Sequence, residues 1–309
     1  MNKPPAYPGS PVPTGRTSRL FHMGSIAAGI AGGMVAGGLR QLATGQRPDL
    51  SGLLLTPSNA LRLTAGLSQL RGAALKVGQM LSMDTGILLG PQVTAILASL
   101  REDARPMPPG QLQNVLNAEW GTDWPQRFRR FEMRPFAAAS IGQVHRAETL
   151  DGRDLAIKVQ YPGIRASIAS DVDNIASLLR LPGLVPRGMD IAPLLRAAKQ
   201  QLHDEADYTA EAAHLRHFAE LLAGSDAFVV PDLHPDLCTG QVLAMTYMQS
   251  QPLDGLTLAP QATRDSAAAA LIGLVLQELF TFGAMQTDPN LANYRVEPAT
   301  GRQIGRAHV

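Results

Sequence analysis

The sequence predicts an α+β protein in which a compact β-rich unit lies between helical segments. Residues 136–161 read as strand, tight loop, strand, hairpin and strand, with a turn signal at Asp151-Gly152. Glycine accepts the positive φ angle that such a hairpin turn needs. Residues 60–83 carry leucines at helical spacing, and residues 265–282 form a largely apolar helical run. Strands set among long helical patterns predict the α+β class.

The composition limits the function classes. The 309 residues are 45% hydrophobic and 17% charged, enough to bury the core of one large or two small domains. The formal net charge of +1 does not provide the basic excess of a nucleic-acid-binding surface, so no nucleic acid is expected as a partner. Cys238 is the one cysteine, which excludes an intrachain disulfide and suits a reducing compartment. No secretory leader is expected, because no charged start is followed by an apolar stretch and a cleavage site.

The N-terminal region divides into two parts. Residues 1–19 are rich in proline, glycine and serine, and we expect them to be disordered. Residues 23–39 are uncharged and contain Gly29, Gly33 and Gly37, a spacing that lets helices approach closely in lipid. The run is shorter than the ~20 residues that a spanning helix needs. We expect a helix on a membrane surface or against a partner, with a flexible arm as the alternative.

Proline and glycine separate the remaining predicted elements. Residues 46–58 read as a linker, residues 106–110 as a loop and residues 249–255 as a hinge. Helices are predicted over residues 60–83, 91–100, 111–120, 164–181, 191–222 and 265–282, and strands over residues 128–133, 143–147, 155–161, 228–231 and 242–248.

A loop of small residues precedes the hairpin. Ala137, Ala139 and Gly142 reproduce the G-x-G-x-x-G spacing of a kinase glycine-rich loop, and residues 156–158 match the end of the V-A-I-K strand motif. In that arrangement backbone amides cover the nucleotide phosphates, and Lys158 contacts them as a point charge. The alternative is an ordinary turn followed by a strand whose lysine lies along apolar surface. The ordered combination with the hairpin favours a nucleotide-binding unit.

Polar residues farther along the chain suggest the rest of a site. Asp288 and Asn293 are five residues apart, like the catalytic-loop Asp and Asn of kinases. In kinases the Asp orients or deprotonates the attacking hydroxyl, and the Asn binds Mg²⁺. The alternative is an Asp-Pro turn before an edge strand over residues 293–296. Glu211 lies on a helix after the lysine strand and is expected to pair with Lys158. The acidic cluster around it otherwise reads as a solvated helix face.

These motifs carry a family likeness, because they occur in a fixed order: K-x-G-Q at 76–79, the alanine-rich loop at 137–142, E-x-D at 205–207 and D-P-N-x-x-N at 288–293. By them the chain resembles the UbiB/ADCK (AarF) family of atypical kinases over residues 15–303. The resemblance implies a protein-kinase-like fold with a helical N-terminal extension, a β-rich N-lobe and the start of a helical C-lobe. It also implies ATP and Mg²⁺ as cofactors and a role supporting ubiquinone (coenzyme Q) biosynthesis at a membrane.

The resemblance assigns roles to individual residues. Asp288 and Lys158 would be catalytic, and Asn293 would bind the metal. In the family, the K-x-G-Q helix and the E-x-D residues cover the place of a protein substrate, so ATPase or small-molecule kinase activity is expected. The regulatory residues would be Lys76, Gln79, Glu205 and Asp207, and the nucleotide-binding residues would be Ala137, Ala138, Ala139, Ser140, Gly142, Lys158 and Glu211.

The sequence departs from the family pattern after the catalytic loop. The family's second metal ligand is the Asp of a D-F-G motif, and no Asp follows Asp288. Residues 304–309 read like a translated sequencing adapter, so we expect a truncated chain that is inactive by itself. The predicted divisions are an N-terminal arm (1–45), a helical extension (46–125), an N-lobe with inserted helices (126–250), a partial C-lobe (251–303) and a non-native tail (304–309).

Three functions fit the sequence to different degrees. An ATP-dependent atypical kinase or ATPase leads, and a non-catalytic nucleotide-binding scaffold of a membrane-associated biosynthetic complex is the alternative. An aminoglycoside-type phosphotransferase is disfavoured, because that group lacks K-x-G-Q. Expected partners are ATP, a membrane surface or lipid, and ubiquinone-biosynthesis proteins, with a homodimer also allowed. The expected location is peripheral, on the cytoplasmic side of a membrane such as the bacterial inner membrane.

Overall fold

A computed structural model of the chain describes residues 16–45, 70–83, 106–180, 190–286, 294–298 and 301–305, together with residues 56, 59, 64 and 67. The helices among them are α1 (Arg16–Ala43), α2 (Arg71–Met83), α3 (Pro109–Trp120), α4 (Ile164–Leu179), α5 (Ala192–Glu205), α6 (Tyr208–Leu221) and α7 (Gln261–Gln277). The strands are β1 (Phe128–Phe131), β2 (Ala137–Ala138), β3 (Gly142–Thr149), β4 (Asp154–Gln160), β5 (Phe228–Val229), β6 (Val242–Thr246), β7 (Gln251–Pro252), β8 (Tyr294–Val296) and β9 (Gln303–Gly305). Short 3₁₀ turns cover Trp124–Arg127, Pro235–Leu237 and Leu253–Leu258, and a π-helical turn covers Glu278–Phe282. This mixture of helices and strands confirms the predicted α+β class.

The first sheet contains the predicted hairpin. Its strands lie in the order β1-β3-β4-β6, and β2 pairs with β3. β4 and β6 are antiparallel, with Lys158 opposite Leu243. The turn between β3 and β4 places Gly152 at φ 89°, the left-handed backbone that the Asp-Gly signal predicted. The predicted order of strand, loop, strand, hairpin and strand is therefore confirmed.

Contacts divide the chain into two units, of which the first is mainly helical. It comprises the described residues of Met1–Gln113, Ala137–Gln143 and Gln160–Ala206. α2 packs against α4 and α5, α4 packs against α5, and α1 also lies against α4. The apolar core of this unit includes Leu70, Ala73, Val77, Ile168, Val172, Ile175, Ala198 and Leu202.

The second unit comprises Asn114–Phe136, Val144–Val159 and the described residues of Asp207–Val309. It holds a second sheet in the order β5-β9-β8-β7, in which β5 runs parallel to β9. Aromatic rings pack where the unit begins, and the ring centroids of Trp124 and Phe131 are 4.9 Å apart. A separate buried cluster joins α6, α7 and this sheet through Leu215, Phe218, Leu222, Phe228, Leu274 and Tyr294.

The single helix predicted over residues 191–222 is wrong, because α5 and α6 meet at a break. Gln160 Nε2 donates a hydrogen bond to the Ala206 carbonyl at 3.0 Å. The Asp207 carboxylate accepts from two backbone N–H groups of the next turn, both at 3.1 Å. Such an N-cap is worth about 1 kcal/mol. Side-chain partners thus replace helical backbone bonds at the break and start a new helix.

Other boundaries also differ from the prediction. Residues 16–19, expected to be disordered, begin α1, and α3 begins at Pro109, where a missing N–H costs nothing. The strand after the D-P-N motif is not an edge strand, because β8 pairs with both β7 and β9. Ile304, assigned to the predicted non-native tail, is buried in β9. Outside the described residues lie 1–15, 46–55, 84–105 with the predicted helix 91–100, and 306–309.

Helix α7 and the π-helical turn that follows it expose an apolar surface to solvent. Leu274 on one face is buried in the core cluster of the second unit. The opposite face exposes apolar side chains at helical spacing: Ile272, Val275, Leu276, Leu279 and Phe280. Among the described residues, Gln261–Phe282 is the one helix long and apolar enough to cross a membrane. The same composition occurs in core helices of soluble proteins, so it is weak evidence for a span.

Candidate functional site

A buried ion pair joins β4 to α6. Lys158 Nζ lies 2.6 Å from Glu211 Oε1 and 2.7 Å from Glu211 Oε2. The two side chains are only 7% and 11% exposed. The neighbouring strand residues Ile157 and Val159 are fully buried, which holds β4 in the sheet. The expected pairing of these two residues is therefore present, with both carboxylate oxygens on one ammonium.

An aromatic ring completes the surroundings of the lysine. The Lys158 ammonium lies 4.7 Å from the centroid of the Tyr208 ring, and Tyr208 is fully buried. A desolvated cation–π contact of this kind is worth about 2 kcal/mol. The sequence analysis missed Tyr208. Its signal was its position three residues before Glu211, which places both side chains on one face of a helix.

The alanine-rich loop is held within the first unit. The Ala139 N–H donates to the Gly142 carbonyl at 2.9 Å, which closes the turn between β2 and β3. The Ser140 hydroxyl donates to the Glu205 carboxylate at the end of α5. The structure thus brings one predicted regulatory residue into contact with the predicted phosphate-binding loop.

Helix α2 approaches the same loop at a glycine. A Cβ atom built on Gly72 would lie 2.6 Å from the Ser140 carbonyl oxygen and 2.8 Å from Cγ2 of Ile141. Real Cβ atoms do not approach other atoms so closely, so only glycine allows this contact. Sequence reasoning missed Gly72, which lies four residues before the K-x-G-Q motif and has no motif of its own.

The other predicted regulatory residues are placed differently. Lys76 is buried on α2, the helix that packs against α5. Gln79 lies in the same helix. Asp207 caps the N-terminus of α6, and this capping role alone explains its position. The predicted regulatory role of Asp207 stays a prediction.

The predicted catalytic loop lies outside the described residues, because Asp288 and Asn293 fall in the segment 287–293. Gln286 and Tyr294, the described residues on either side of it, are both buried. The described residues contain no cluster of three or more His, Cys, Asp or Glu side chains that could hold a metal ion. The predicted metal ligand Asn293 therefore stays a prediction.

A buried histidine lies on the strand that follows the loop. The Nδ1 of His145 on β3 lies 2.8 Å from the Glu132 carbonyl, to which it donates. The imidazole also stacks on the Phe131 ring, with centroids 5.6 Å apart. Burial lowers the pKa of His145 to about 4, partly offset by this hydrogen bond. His145 is therefore neutral at physiological pH and acts as a packed donor within the second unit.

Comparison with known proteins adds independent information. Residues 99–305 match the ABC1 atypical kinase-like domain. The chain is 40% identical over 285 residues to the mitochondrial atypical kinase COQ8 of Saccharomyces cerevisiae, covering 92% of this chain and 57% of the relative. It is 41% identical to the mitochondrial atypical kinase COQ8B of Rattus norvegicus, covering 92% of this chain and 54% of the relative.

A solved structure with a similar fold supports this family match. The complex of Rv3197 with erythromycin from Mycobacterium tuberculosis aligns with a TM-score of 0.54 and 28% identity. The alignment covers 80% of this chain and 63% of that chain. The chain spans about half the length of the curated relatives it matches. With its kinase-like fold and its match over residues 99–305, the chain belongs to the ABC1 (UbiB/ADCK) family of atypical kinase-like proteins.

Proposed function

We propose that the chain is the nucleotide-binding part of an atypical kinase or ATPase that supports ubiquinone biosynthesis. The observation that carries the proposal is the buried Lys158–Glu211 ion pair, with its 2.6 Å contact and the Tyr208 ring beside the ammonium. A buried ion pair is a poor stabilising device, because desolvation offsets much of its attraction. In a kinase-like fold, a lysine fixed by a helix glutamate contacts the nucleotide phosphates.

In this proposal each motif has a defined task. Backbone amides of the loop from Ala137 to Gly142 bind the phosphates, and Lys158 neutralises part of their charge. Asp288 orients or deprotonates the attacking hydroxyl. Asn293 would hold Mg²⁺ through its amide oxygen, the ligand type that this hard cation prefers. When bound there, Mg²⁺ would supply positive charge to balance the charge of the transferred phosphoryl group.

The regulatory assignment is part of the same proposal. The contact of Ser140 with Glu205 and the close approach of Gly72 to the loop support it. A loop held by an acidic side chain and a helix has little freedom to admit a protein substrate. Lys76, Gln79, Glu205 and Asp207 would then restrict the site to ATP hydrolysis or to a small acceptor.

We further propose that turnover needs more polypeptide than these 309 residues contain. The alignments cover only 57% and 40% of two longer relatives, and no Asp follows Asp288 to act as a second metal ligand. The exposed apolar stripe of α7, at residues 272–280, supports this proposal. Additional helical residues of a longer polypeptide would cover it, because an exposed apolar stripe of this kind is a common site of protein–protein contact.

The proposed setting is a peripheral one at a membrane, with ubiquinone-biosynthesis proteins as partners. Relatives named COQ8 are described as mitochondrial, and for this chain we propose the cytoplasmic face of a bacterial inner membrane. Helix α1, with its small-residue series, is the proposed contact with lipid, with a partner protein or with a second copy of the chain. A non-catalytic scaffold in the same setting is the second candidate.

The test compares two polypeptides. ATP binding and hydrolysis are measured with Mg²⁺ for residues 1–309 and for a version extended to the length of its relatives. The proposal predicts weak ATP binding without hydrolysis for the first, and hydrolysis for the second. Hydrolysis by residues 1–309 would refute the need for more polypeptide. Binding without any turnover by the extended version would favour the scaffold, and absence of binding to both would refute the nucleotide site.

A further inference from the structure

A cation, a carboxylate and two aromatic rings meet beside the first sheet. Arg146 on β3 donates from Nε to Asp154 Oδ1 at 3.0 Å and from Nη2 to Asp154 Oδ2 at 2.7 Å. The Arg146 guanidinium lies over the Tyr247 ring, 4.2 Å from its centroid. The Phe136 and Tyr247 rings meet edge to face, with centroids 5.5 Å apart. We call these four residues the stacking surface.

Backbone hydrogen bonds hold the members of the stacking surface in place. The Tyr247 N–H donates to the Asp154 carbonyl at 2.9 Å, which extends the pairing of β4 with β6 by one residue. The Phe136 N–H donates to the Val144 carbonyl at 3.0 Å. All four residues of the stacking surface belong to the second unit. Their arrangement is therefore set by the sheet.

The stacking surface lies on the same face of β4 as the lysine of the candidate site. Side chains alternate along a strand, so Asp154, Ala156 and Lys158 project from one face. Asp154 and Lys158 are four residues apart, a separation of about 13 Å along β4 at ~3.3 Å per residue. The terminal phosphate and the base of an extended nucleoside triphosphate are separated by a comparable length. A nucleotide with its phosphates at Lys158 can therefore reach the stacking surface with its base.

The chemistry of the stacking surface suits a planar aromatic ring. A guanidinium is planar and stacks on aromatic faces, as Arg146 already does on Tyr247. The two parallel hydrogen bonds to Asp154 hold the guanidinium in one orientation. Nucleic-acid bases stack on aromatic rings and on arginine whatever their identity, because every base has a π face.

The stacking surface is open to solvent. The side chains of Arg146 and Asp154 are 36% and 42% exposed, and Phe136 is 50% exposed. An ion pair at such exposure contributes little to stability, and a half-exposed aromatic ring leaves apolar area in water. Stability alone therefore does not account for the arrangement, whereas contact with a ligand ring does.

We propose that Phe136 and Arg146 select the ligand by stacking on the aromatic base of the bound nucleotide. Tyr247 and Asp154 are positioning residues, because the ring supports the guanidinium and the carboxylate orients it. The inference rests on the proposed function for the phosphates at Lys158, and it adds which residues recognise the base. Stacking reads the face of the ring and not its hydrogen-bonding edge, so adenine and guanine gain alike. Inorganic tripolyphosphate has no base and gains nothing.

The first test measures the dissociation constants of ATP, GTP and inorganic tripolyphosphate for the intact 309-residue chain. Arg146→Leu should weaken ATP and GTP binding about tenfold each and should leave tripolyphosphate binding unchanged. The matched control is Arg129→Leu, which removes the same charge from the same sheet and breaks a cross-strand pair with Glu148 at 2.7 Å. The control should leave all three dissociation constants unchanged.

A second set of variants tests the positioning role and keeps the inference testable if Arg146→Leu does not fold. Tyr247→Leu removes the ring under the guanidinium and should weaken ATP binding about fivefold. Tyr247→Phe keeps that ring and should bind ATP like wild type. Phe136→Leu changes a half-exposed side chain, and it should weaken ATP and GTP binding by the same factor without weakening tripolyphosphate binding.

The outcomes separate this inference from the proposed function. An affinity ratio of ATP to tripolyphosphate that Arg146→Leu and Phe136→Leu leave unchanged would overturn the stacking role, while the phosphate site would stand. A loss confined to ATP or to GTP would show recognition of the base edge, which also overturns it. Equal losses in Arg129→Leu and Arg146→Leu would show an effect of charge alone and refute it too. A wild-type chain that binds none of the three ligands refutes the nucleotide site, and this inference falls with it.

Discussion

Breaking the Lys158–Glu211 ion pair should destabilise the second unit in a way that depends on which residues are removed together. The pair is nearly excluded from water, at 7% and 11% side-chain exposure, and Glu211 places both carboxylate oxygens within 2.7 Å of the ammonium. Either alanine substitution leaves one buried charge without its partner. The double substitution Lys158→Ala with Glu211→Ala removes both charges.

The burial of the pair fixes the expected magnitude. Removing one partner of a buried ion pair costs about 3–5 kcal/mol, because the stranded charge has no compensation. An exposed pair is worth only ~0–1 kcal/mol. Each single variant should therefore lose about 3–5 kcal/mol of unfolding free energy, and the double variant should lose little more than either. Independent residues would instead give a sum of about 6–10 kcal/mol, by doubling the single-variant cost.

Tryptophan fluorescence during urea unfolding is a suitable assay. Both tryptophans of the chain, Trp120 and Trp124, lie in the same unit as the ion pair. The matched control is Arg129→Ala, which breaks the exposed pair with Glu148, whose side chains are 62% and 29% exposed. The control should change the unfolding free energy by less than about 1 kcal/mol. Additive losses at Lys158 and Glu211, or single losses no larger than the control, would refute the coupled buried pair.

Three further predictions concern other parts of the chain. Gly72→Ala should lower the melting temperature, because the new Cβ would lie 2.6 Å from the Ser140 carbonyl oxygen and overpacking costs about 1–3 kcal/mol. The control is Gly273→Ala, whose Cβ would meet nothing within 4 Å and which should stabilise the chain by about 0.5–1 kcal/mol. Equal changes in melting temperature for the two variants would contradict the close approach of Gly72 to the loop. Burial lowers the pKa of His145 from 6.5 to about 4. Between pH 6.5 and pH 4 the unfolded chain therefore takes up a proton on His145 that the folded chain does not bind. The unfolding free energy should be unaffected above about pH 6.5 and should fall by about 3 kcal/mol towards pH 4. His145→Asn should lack this fall in urea unfolding, and an identical pH profile would contradict the buried neutral state. Deleting residues 1–45 should reduce partition into liposomes, measured by flotation, whereas unchanged partition would exclude α1 as the membrane contact.

Much of the β-rich unit was predictable from sequence because its signals are local. An Asp-Gly pair needs only a positive φ angle at Gly152, which the structure shows. β-Branched and apolar residues placed Lys158 within a strand, and the helix predicted over residues 111–120 ends where α3 ends and starts two residues after it. The helix predicted over residues 60–83 ends where α2 ends, and most of residues 60–69 lie outside the described part of the chain. The Lys158–Glu211 pairing is a long-range contact, and it was predicted from the kinase-like order of the elements, with Glu211 on a helix that follows the lysine strand.

Contacts made by ordinary residues at a distance were not predictable. The break between α5 and α6 depends on Gln160 reaching the Ala206 carbonyl, a bond that no local pattern reveals. Gly72 is required by the backbone of a loop far away in sequence. Glu278 and Tyr294 read as an ordinary helix residue and an ordinary strand residue until their hydrogen bonds to Gln286 are seen.

The most direct test of the nucleotide site is chemical labelling of its lysine. An acyl-phosphate derivative of ATP transfers its acyl group to a lysine amine that lies beside the bound phosphates, and mass spectrometry then measures the modified fraction of each lysine. The account predicts that Lys158 is labelled more than Lys199 and that excess Mg²⁺-ATP suppresses this labelling, although the Lys158 side chain is only 7% exposed. Lys199, at 32% side-chain exposure, should show weak labelling that ATP does not change. Labelling of Lys158 no stronger than that of Lys199, or insensitive to ATP, would contradict the assignment of Lys158 to an ATP site.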